Sequence, residues 1–299
     1  MKRRDFFKVT GSACGTSLLF SSARASSPST ADQYGVLIDV DKCIGCRKCE
    51  WACNEANHLP VRPLVSFEDK SVFRKERRPD ASNYTVVNEY EHPAGNGKPI
   101  WVKVQCMHCN DPACYSACLV TAFRKEQNGA VTYDPWRCMG CRYCMVACPF
   151  QIPAYEYSNP LDPQIRKCTF CFERISKNGG VPACVEICPP QCLTFGKRRD
   201  LLTLARRKVN KEGSHYQSHI YGEHEVGGTC WLYVSTEPFE NLGLPKLGEK
   251  APPRLTETIQ HGVFKAFLVP LGLFGLLGAI MRFFRPDTPA DYDARRKEP

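Results

Sequence analysis

The stretch CMGCRYCMVACP, residues 138–149, spaces four cysteines by two, two and three residues and ends on a proline. The same cysteine spacing occurs in CIGCRKCEWAC, residues 43–53. Two related groups complete the pattern. Residues 106–118 stretch one gap to four residues, and residues 168–188 place twelve residues between their second and third cysteines. These four groups hold sixteen of the nineteen cysteines in the chain.

The repeated three-cysteine run indicates what the groups bind. Three cysteines two residues apart on a tight loop can supply thiolates to three irons of a [4Fe–4S] cluster, and the fourth thiolate comes from elsewhere. A structural zinc site is usually built from separate cysteine pairs and gains nothing from the third thiolate. Cysteines this close in sequence are also poorly placed to form several unstrained disulfides. The pattern predicts four [4Fe–4S] clusters, and a zinc-stabilised scaffold is the alternative from a different class.

The last cysteine of each group is expected to serve the cluster of another group, as in two-cluster ferredoxins. Groups two and three begin 32 residues apart and form a natural pair, which leaves group one to pair with group four. Spacing alone leaves open a pairing of groups three and four, whose first cysteines are 30 residues apart. The nested arrangement predicts four ligand sets: set one, Cys43, Cys46, Cys49 and Cys188; set two, Cys53, Cys168, Cys171 and Cys184; set three, Cys106, Cys109, Cys114 and Cys148; set four, Cys118, Cys138, Cys141 and Cys144.

Composition and charge limit the remaining function classes. The chain has 299 residues, of which 43% are hydrophobic and 24% charged, so it is neither wholly disordered nor a multi-span membrane protein. The net charge is +9, but residues 1–25 hold five Lys or Arg against one Asp. The rest is therefore only mildly basic, and no nucleic-acid partner is predicted. Without a glycine-rich phosphate loop or a nucleophile–base pair, no catalytic residue and no enzyme activity of its own are predicted.

Residues 1–25 predict a twin-arginine signal peptide. Residues 2–8 read KRRDFFK, residues 9–20 are apolar or small, and residues 23–25 read ARA, a small-x-small cleavage site. This export route carries proteins that are already folded. It suits a protein that must acquire its metal in the cytoplasm and work outside it.

Residues 259–285 predict one transmembrane helix. The run from residue 266 to residue 281 contains no charge, with Lys265 and Arg282 at its two ends. The positive-inside rule places the basic tail, residues 286–299, in the cytoplasm. The bulk of the chain is then expected at the periplasmic face of the cytoplasmic membrane, the side that the export signal also indicates.

Several secondary-structure elements can be predicted around the cysteine groups. Strands are expected at residues 36–40, 84–90 and 132–133. A basic amphipathic helix is expected over residues 197–212. Its predicted apolar side consists of Leu201, Leu202, Leu204, Ala205 and Val209.

Other side chains near the ligands have expected roles too. His108 is expected to pack against a cluster or to donate a hydrogen bond near it, and Cys192 and Cys230 to be buried free thiols. Cations favour the reduced, more negative form of a cluster, so the basic residues beside ligands are predicted to raise cluster potentials as a set. That set is Lys42, Arg47, Lys48, Arg142 and Lys167.

Four stretches carry a family resemblance: QCMHC at 105–109, DP at 111–112, GCRYCMVACP at 140–149 and KC at 167–168. In them the chain resembles the four-cluster ferredoxin-like electron-transfer subunits of bacterial respiratory oxidoreductases, over roughly residues 34–195. The chain departs from the family pattern at Leu119, which stands in place of a proline. Residues 227–229, 240–247 and 259–261 are similar to the membrane-anchored iron–sulfur subunit of hydrogenase-2-type enzymes.

The resemblance implies an α+β fold with two fused, nested ferredoxin-like modules of two [4Fe–4S] clusters each, and it implies the nested ligand sets. The expected organisation is a signal peptide at 1–25, an outer module at 34–100 plus 161–200 and an inner module at 101–160. A C-terminal extension at 201–258, a transmembrane helix at 259–285 and a cytoplasmic tail at 286–299 follow.

The expected function is an electron relay rather than catalysis. By resemblance, the electrons come from the catalytic and small subunits of a nickel–iron hydrogenase and leave to an integral membrane subunit that reacts with quinone. The alternative partner is a formate dehydrogenase or another molybdenum oxidoreductase.

Overall fold

The computed structural model describes residues 33–92, 98–253 and 268–283. The expected signal peptide and cytoplasmic tail lie outside these described residues. The described chain mixes short strands and short helices, as the sequence predicted.

A three-stranded sheet in the order β8-β1-β9 forms the centre of the molecule. Its middle strand β1 (Tyr34–Asp39) pairs antiparallel with β8 (Leu193–Lys197) and parallel with β9 (Trp231–Val234). The run from residue 36 to residue 39 is buried throughout, because both faces of this strand are covered. The predicted C-terminal extension therefore contributes a strand to the same sheet as the first cysteine group.

Three antiparallel hairpins surround this sheet. They are β2 (Thr85–Tyr90) with β3 (Ile100–Gln105), β4 (Phe123–Lys125) with β5 (Val131–Tyr133), and β6 (Ala154–Tyr155) with β7 (Ile165–Arg166). Strands β1 and β5 each lead through one short 3-10 turn into a cysteine group, whereas β3 and β7 lead into theirs directly. Each of the four groups is thus entered from a hydrogen-bonded strand, which holds its first cysteine in place.

Five short helices carry cysteines of the groups or lie between them. They are α1 (Lys48–Ala56), α2 (Ala113–Ser116), α3 (Tyr143–Ala147), α4 (Phe172–Asn178) and α5 (Ala183–Glu186). Helices α2 and α5 are equivalent: each follows a proline, begins with Ala-Cys and contains no more than one turn. The remaining 3-10 segments are Leu64–Glu68, Lys70–Arg74, Glu225–Gly227 and Phe239–Leu242.

Helix α6 (Arg198–Val209) covers one face of the central sheet. Leu201, Ala205 and Val209, four residues apart, are buried against Leu37 of β1 and Leu232 of β9. The predicted helix was therefore confirmed but is shorter at both ends. Its predicted apolar side was wrong at one position, since Leu204 is exposed.

Helix α7 (Leu268–Phe283) covers sixteen residues of the predicted transmembrane segment. The other residues of that segment, 259–267 and 284–285, lie outside the described chain. Among the described helices, none combines the length and the hydropathy needed to cross a bilayer.

Candidate metal centres

The loop of group one shows how the local sequence turns cysteines toward a common point. Gly45 and Arg47 have left-handed backbone conformations, with φ of +66° and +57°, and α1 begins directly after them. Group three repeats this geometry at Gly140 and Arg142, with φ of +73° and +59°. Only glycine adopts this conformation without cost, so the two arginines are held there by the surrounding structure.

Set one lines a cavity of about 420 Å³ beside β1, named here cavity one. Its walls include all four predicted ligands, Cys43, Cys46, Cys49 and Cys188, together with a fifth cysteine, Cys192. Cys192 lies with its Sγ 3.3 Å from that of Cys188. Its thiol lowers the pKa of Cys188 to about 6 and also lowers the pKa of Cys43, because it hydrogen-bonds to both. Cavity one thus presents five thiols to a four-ligand centre.

Set two lines a second cavity of about 310 Å³, named here cavity two. Its walls include the four predicted ligands Cys53, Cys168, Cys171 and Cys184. Cys53 comes from α1, whereas the other three belong to group four, so the two groups exchange their last cysteines across the two cavities.

The thiols of set three lie near one another within the predicted inner module, and so do the thiols of set four. Burial raises the pKa of Cys109, and the next largest contributions come from the other three thiols of set three, those of Cys148, Cys106 and Cys114. Burial likewise raises the pKa of Cys144 to about 12, followed by the other thiols of set four, those of Cys138, Cys141 and Cys118. Cys141 is exposed, so set four reaches the surface of the described chain.

The structure therefore brings the cysteines of set one and of set two together at two cavities, and the assignment of all sixteen cysteines to four clusters stays a prediction. Every described cysteine is a free thiol. Within the described ranges, no group of three or more His, Cys, Asp or Glu side chains is arranged to hold a single metal ion. The donor sets fit a cubane cluster, which takes one thiolate at each of four irons.

The basic residues beside the predicted ligands differ in their burial and in their partners. Of the predicted basic set, Arg47 is buried but paired with Glu50 at 3.0 Å, and Lys42 and Arg142 are exposed. Lys167 is buried and donates to the carbonyl oxygens of Val131 and Cys168.

Lys103 is a buried cation that the sequence reasoning missed. It lines both cavity one and cavity two. Burial lowers the pKa of this ammonium, but the thiols of Cys184, Cys49 and Cys168 raise it to a net value above its ordinary one. In the strand IWVKVQ, apolar and polar residues alternate, and this pattern predicts that the lysine side chain faces solvent. The sequence feature that could have pointed to Lys103 is its position three residues before Cys106.

His108 is fully buried between two cysteines of set three. Its Nδ1 accepts a hydrogen bond from the Val131 N–H at 2.8 Å, and its ring packs against Phe170 at 4.9 Å. Burial lowers its pKa well below the usual value, and the nearby Lys167 and Lys125 lower it further. The ring is therefore neutral and packs near the thiols, as expected.

Comparison with known proteins agrees with this arrangement. A 4Fe-4S dicluster domain matches residues 99–198, and a 4Fe-4S binding domain matches residues 34–55. The hydrogenase-2 operon protein HybA of Escherichia coli O157:H7 is 35% identical over 94% of this chain and 95% of its own length. The chain belongs to the family of ferredoxin-like iron–sulfur electron-transfer subunits. The predicted resemblance is thereby confirmed.

Other members of this iron–sulfur subunit family extend the comparison. A protein of Nitratidesulfovibrio vulgaris strain Hildenborough is 46% identical over 93% of this chain and 75% of its own length. The nitrate-inducible formate dehydrogenase iron–sulfur subunit of Escherichia coli K12 is 35% identical over 81% of this chain and 80% of its own. Both family models describe 4Fe-4S domains, so the zinc-scaffold alternative is not carried further.

Proposed function

We propose that this iron–sulfur subunit carries four [4Fe–4S] clusters, one in each of sets one to four, and relays electrons between a catalytic partner and a membrane subunit. When bound, such clusters take up and release single electrons. The observation that carries the proposal is that the four free thiols of set one line one cavity and those of set two line another. The protein supplies their geometry and insulation.

The proximity of neighbouring sets supports a relay in linear order. Cys184 of set two raises the pKa of Cys49 in set one, and Cys106 of set three raises the pKa of Cys168 in set two. Cys144 of set four in turn acts on the pKa of Cys114 in set three. We infer the order one, two, three, four from these electrostatic influences, with partners docking at the two ends.

The proposed partner is the catalytic and small subunits of a nickel–iron hydrogenase, with an integral membrane quinone-reactive subunit at the other end. The match to the hydrogenase-2 operon protein, over nearly the whole length of both chains, supports this choice. The second candidate is service to a formate dehydrogenase or another molybdenum oxidoreductase. It is supported by the formate dehydrogenase iron–sulfur subunit that matches over 81% of this chain.

The proposed location is the periplasmic face of the cytoplasmic membrane. Its supports are the twin-arginine pattern at residues 1–25 and the apolar segment at residues 259–285 with its basic tail. The exposed side chains of α7 in the described chain include Leu273, Phe274 and Leu277, which suit a lipid environment.

The deciding experiment uses anaerobic membranes that contain this protein. The complex is gently solubilised, isolated through this chain, and treated with H2 or with formate while the visible absorption and EPR of its clusters are recorded. Reduction by H2 with nickel in the complex is the expected result. Reduction by formate, with molybdenum or tungsten present, replaces the partner but keeps the relay. A preparation with zinc and without equal amounts of iron and sulfide overturns the proposal.

A further inference from the structure

Lys103 is the buried charge that the proposed ligand sets leave unexplained. It lies on β3, and the residue is only 3% exposed. The side chain forms part of the wall of both cavity one and cavity two. One ammonium therefore stands between two four-thiol sets.

A closed set of neutral groups holds this ammonium in place. Lys103 Nζ donates to Gln105 Oε1 at 2.8 Å, and Gln105 Nε2 donates to the Tyr233 hydroxyl at 2.8 Å. The Tyr233 hydroxyl donates back to the Lys103 carbonyl at 2.9 Å. Lys103 Nζ also lies 4.4 Å from the centre of the Trp231 ring, at a distance typical of a cation–π contact. These partners fix the position of the charge without neutralising it.

The counter-charge must come from elsewhere, because burying an unpaired ammonium is costly. Among the described residues, none of the ion pairs includes Lys103. The ionisable groups that raise its pKa most are thiols of both sets, Cys184 and Cys168 from set two and Cys49 from set one, followed by Tyr233. Clusters with four thiolates are anionic, so they provide the missing negative charge on both sides.

We propose that Lys103 is a shared electrostatic residue that raises the reduction potentials of the two clusters in sets one and two more than those of sets three and four. The inference rests on the proposed function. Reduction adds one negative charge to a cluster, and a fixed cation at the boundary stabilises that charge on either side. It also offsets the repulsion between two neighbouring reduced clusters.

The test is an EPR-monitored redox titration of the full chain in its complex. Lys103→Met removes the charge while keeping most of the side-chain length. We expect the equilibrium constant for reducing the clusters of sets one and two to fall at least about tenfold, which is about 59 mV for a one-electron couple. Lys103→Arg keeps the charge and is expected to restore both potentials. The clusters are assigned by the signals lost in Cys46→Ala and Cys171→Ala variants.

A second lysine provides the matched control. Lys125 donates to the carbonyl oxygens of His108 and Gly129. Its charge also lowers the pKa of Cys109 in set three. Lys125→Met should leave the potentials of sets one and two unchanged. Unchanged potentials in Lys103→Met, or equal shifts of all four clusters, overturn the inference. Absence of clusters from the unmodified protein would instead overturn the proposed function.

Gln105→Glu keeps the inference testable if Lys103→Met yields no folded protein. It places a carboxylate against the ammonium with almost no change of volume. The reduction potentials of the clusters in sets one and two should then fall, as they do when the charge is removed. Potentials unchanged from those of the unmodified protein would overturn the inference.

Discussion

At the scale of single residues, the two spare cysteines differ in where their thiols lie. Cys230 Sγ is 3.3 Å from the Gly129 carbonyl oxygen, which accepts its hydrogen bond, and Cys230 does not line either cavity. Cys192 instead lies within cavity one, next to Cys188. A thiol in that position can replace its neighbour as a ligand with little movement of the backbone.

Substitution of Cys188 tests this fifth thiol. Cys188→Ala is expected to keep all four clusters, because the Cys192 thiol takes its place. The double variant Cys188→Ala/Cys192→Ala should lose one cluster, and Cys184→Ala should also lose one, since cavity two is lined by only four cysteines. Iron and sulfide per chain are measured after anaerobic purification. Loss of a full cluster from Cys188→Ala alone would contradict the expectation.

Glu50 is a second residue on which the site depends, because it joins α1 to β2. Its buried carboxylate accepts from Arg47 at 3.0 Å, from Arg77 at 2.6 Å and from the Val87 N–H at 2.6 Å. This one carboxylate therefore provides the counter-charge for two guanidinium groups. The pairing fixes α1, which carries Cys49 and Cys53.

We expect Glu50→Gln to lower the free energy of unfolding by about 3–5 kcal/mol, because it leaves buried guanidinium charge without a counter-charge. Glu186→Gln removes the partner of Arg174 in an exposed pair and should cost only about 0–1 kcal/mol. Thermal unfolding of the two cluster-loaded variants is compared with that of the unmodified protein. Similar midpoints for both variants would show that the buried network is unimportant.

At the scale of elements, the loops of groups one and three share their backbone but differ in their surroundings. A Cβ at Gly45 would lie 2.4 Å from Trp101 Nε1, whereas the nearest atom to a Cβ at Gly140 is the Tyr155 hydroxyl at 3.3 Å. Trp101 is itself held by a 2.7 Å hydrogen bond from its Nε1 to Glu89. The first loop is thus packed tightly against β3, and the other is more open.

Alanine at the two glycines separates these effects. Gly140→Ala adds mainly the left-handed penalty of about 1–2 kcal/mol. Gly45→Ala adds the clash with the indole as well, and overpacking of this kind typically costs a further ~1–3 kcal/mol. The rate of cluster bleaching in denaturant should therefore rise more in Gly45→Ala. Equal rates would mean that Trp101 moves aside without cost.

At the scale of the whole molecule, the proposed sets follow one another in a row, because a thiol of each set influences the pKa of a thiol in the next. We place set two between set one and sets three and four, because Cys184 raises the pKa of Cys49 and Cys106 raises the pKa of Cys168. Electrons passing from one end of the row to the other must then pass set two. This is a property of the fold and of no single motif.

Removal of the cluster in set two tests the order. In Cys171→Ala, the physiological donor should rapidly reduce either the cluster of set one alone or those of sets three and four together. The clusters beyond the gap should be reduced much more slowly. Freeze-quench EPR after addition of the donor gives the measurement, with the unmodified complex as control. Equally rapid reduction of all remaining clusters would contradict a linear relay.

Much of the site was predictable because ligand spacing is a local property. The loops of residues 43–49 and 138–144 carry their glycines and cysteines in the order that the turn requires. The strand at β1 and the helix α6 were predictable from apolar runs and periodicity. Strand β9 was not, because its identity depends on pairing with β1, nearly 200 residues earlier in the chain. Lys103 was not predictable either, because its burial depends on two cavities built by other segments.

The sequence by itself determined the chemistry of this protein, since the number and spacing of thiols decide which cofactor a loop can hold. The export and anchoring signals that we propose are likewise predictions from linear patterns. Only the tertiary structure decided which thiols line each of the two cavities, where the fifth thiol lies and which cation lines both. These features depend on contacts between residues far apart in the chain, and such contacts exist only once the sheet β8-β1-β9 and its surrounding hairpins have packed together.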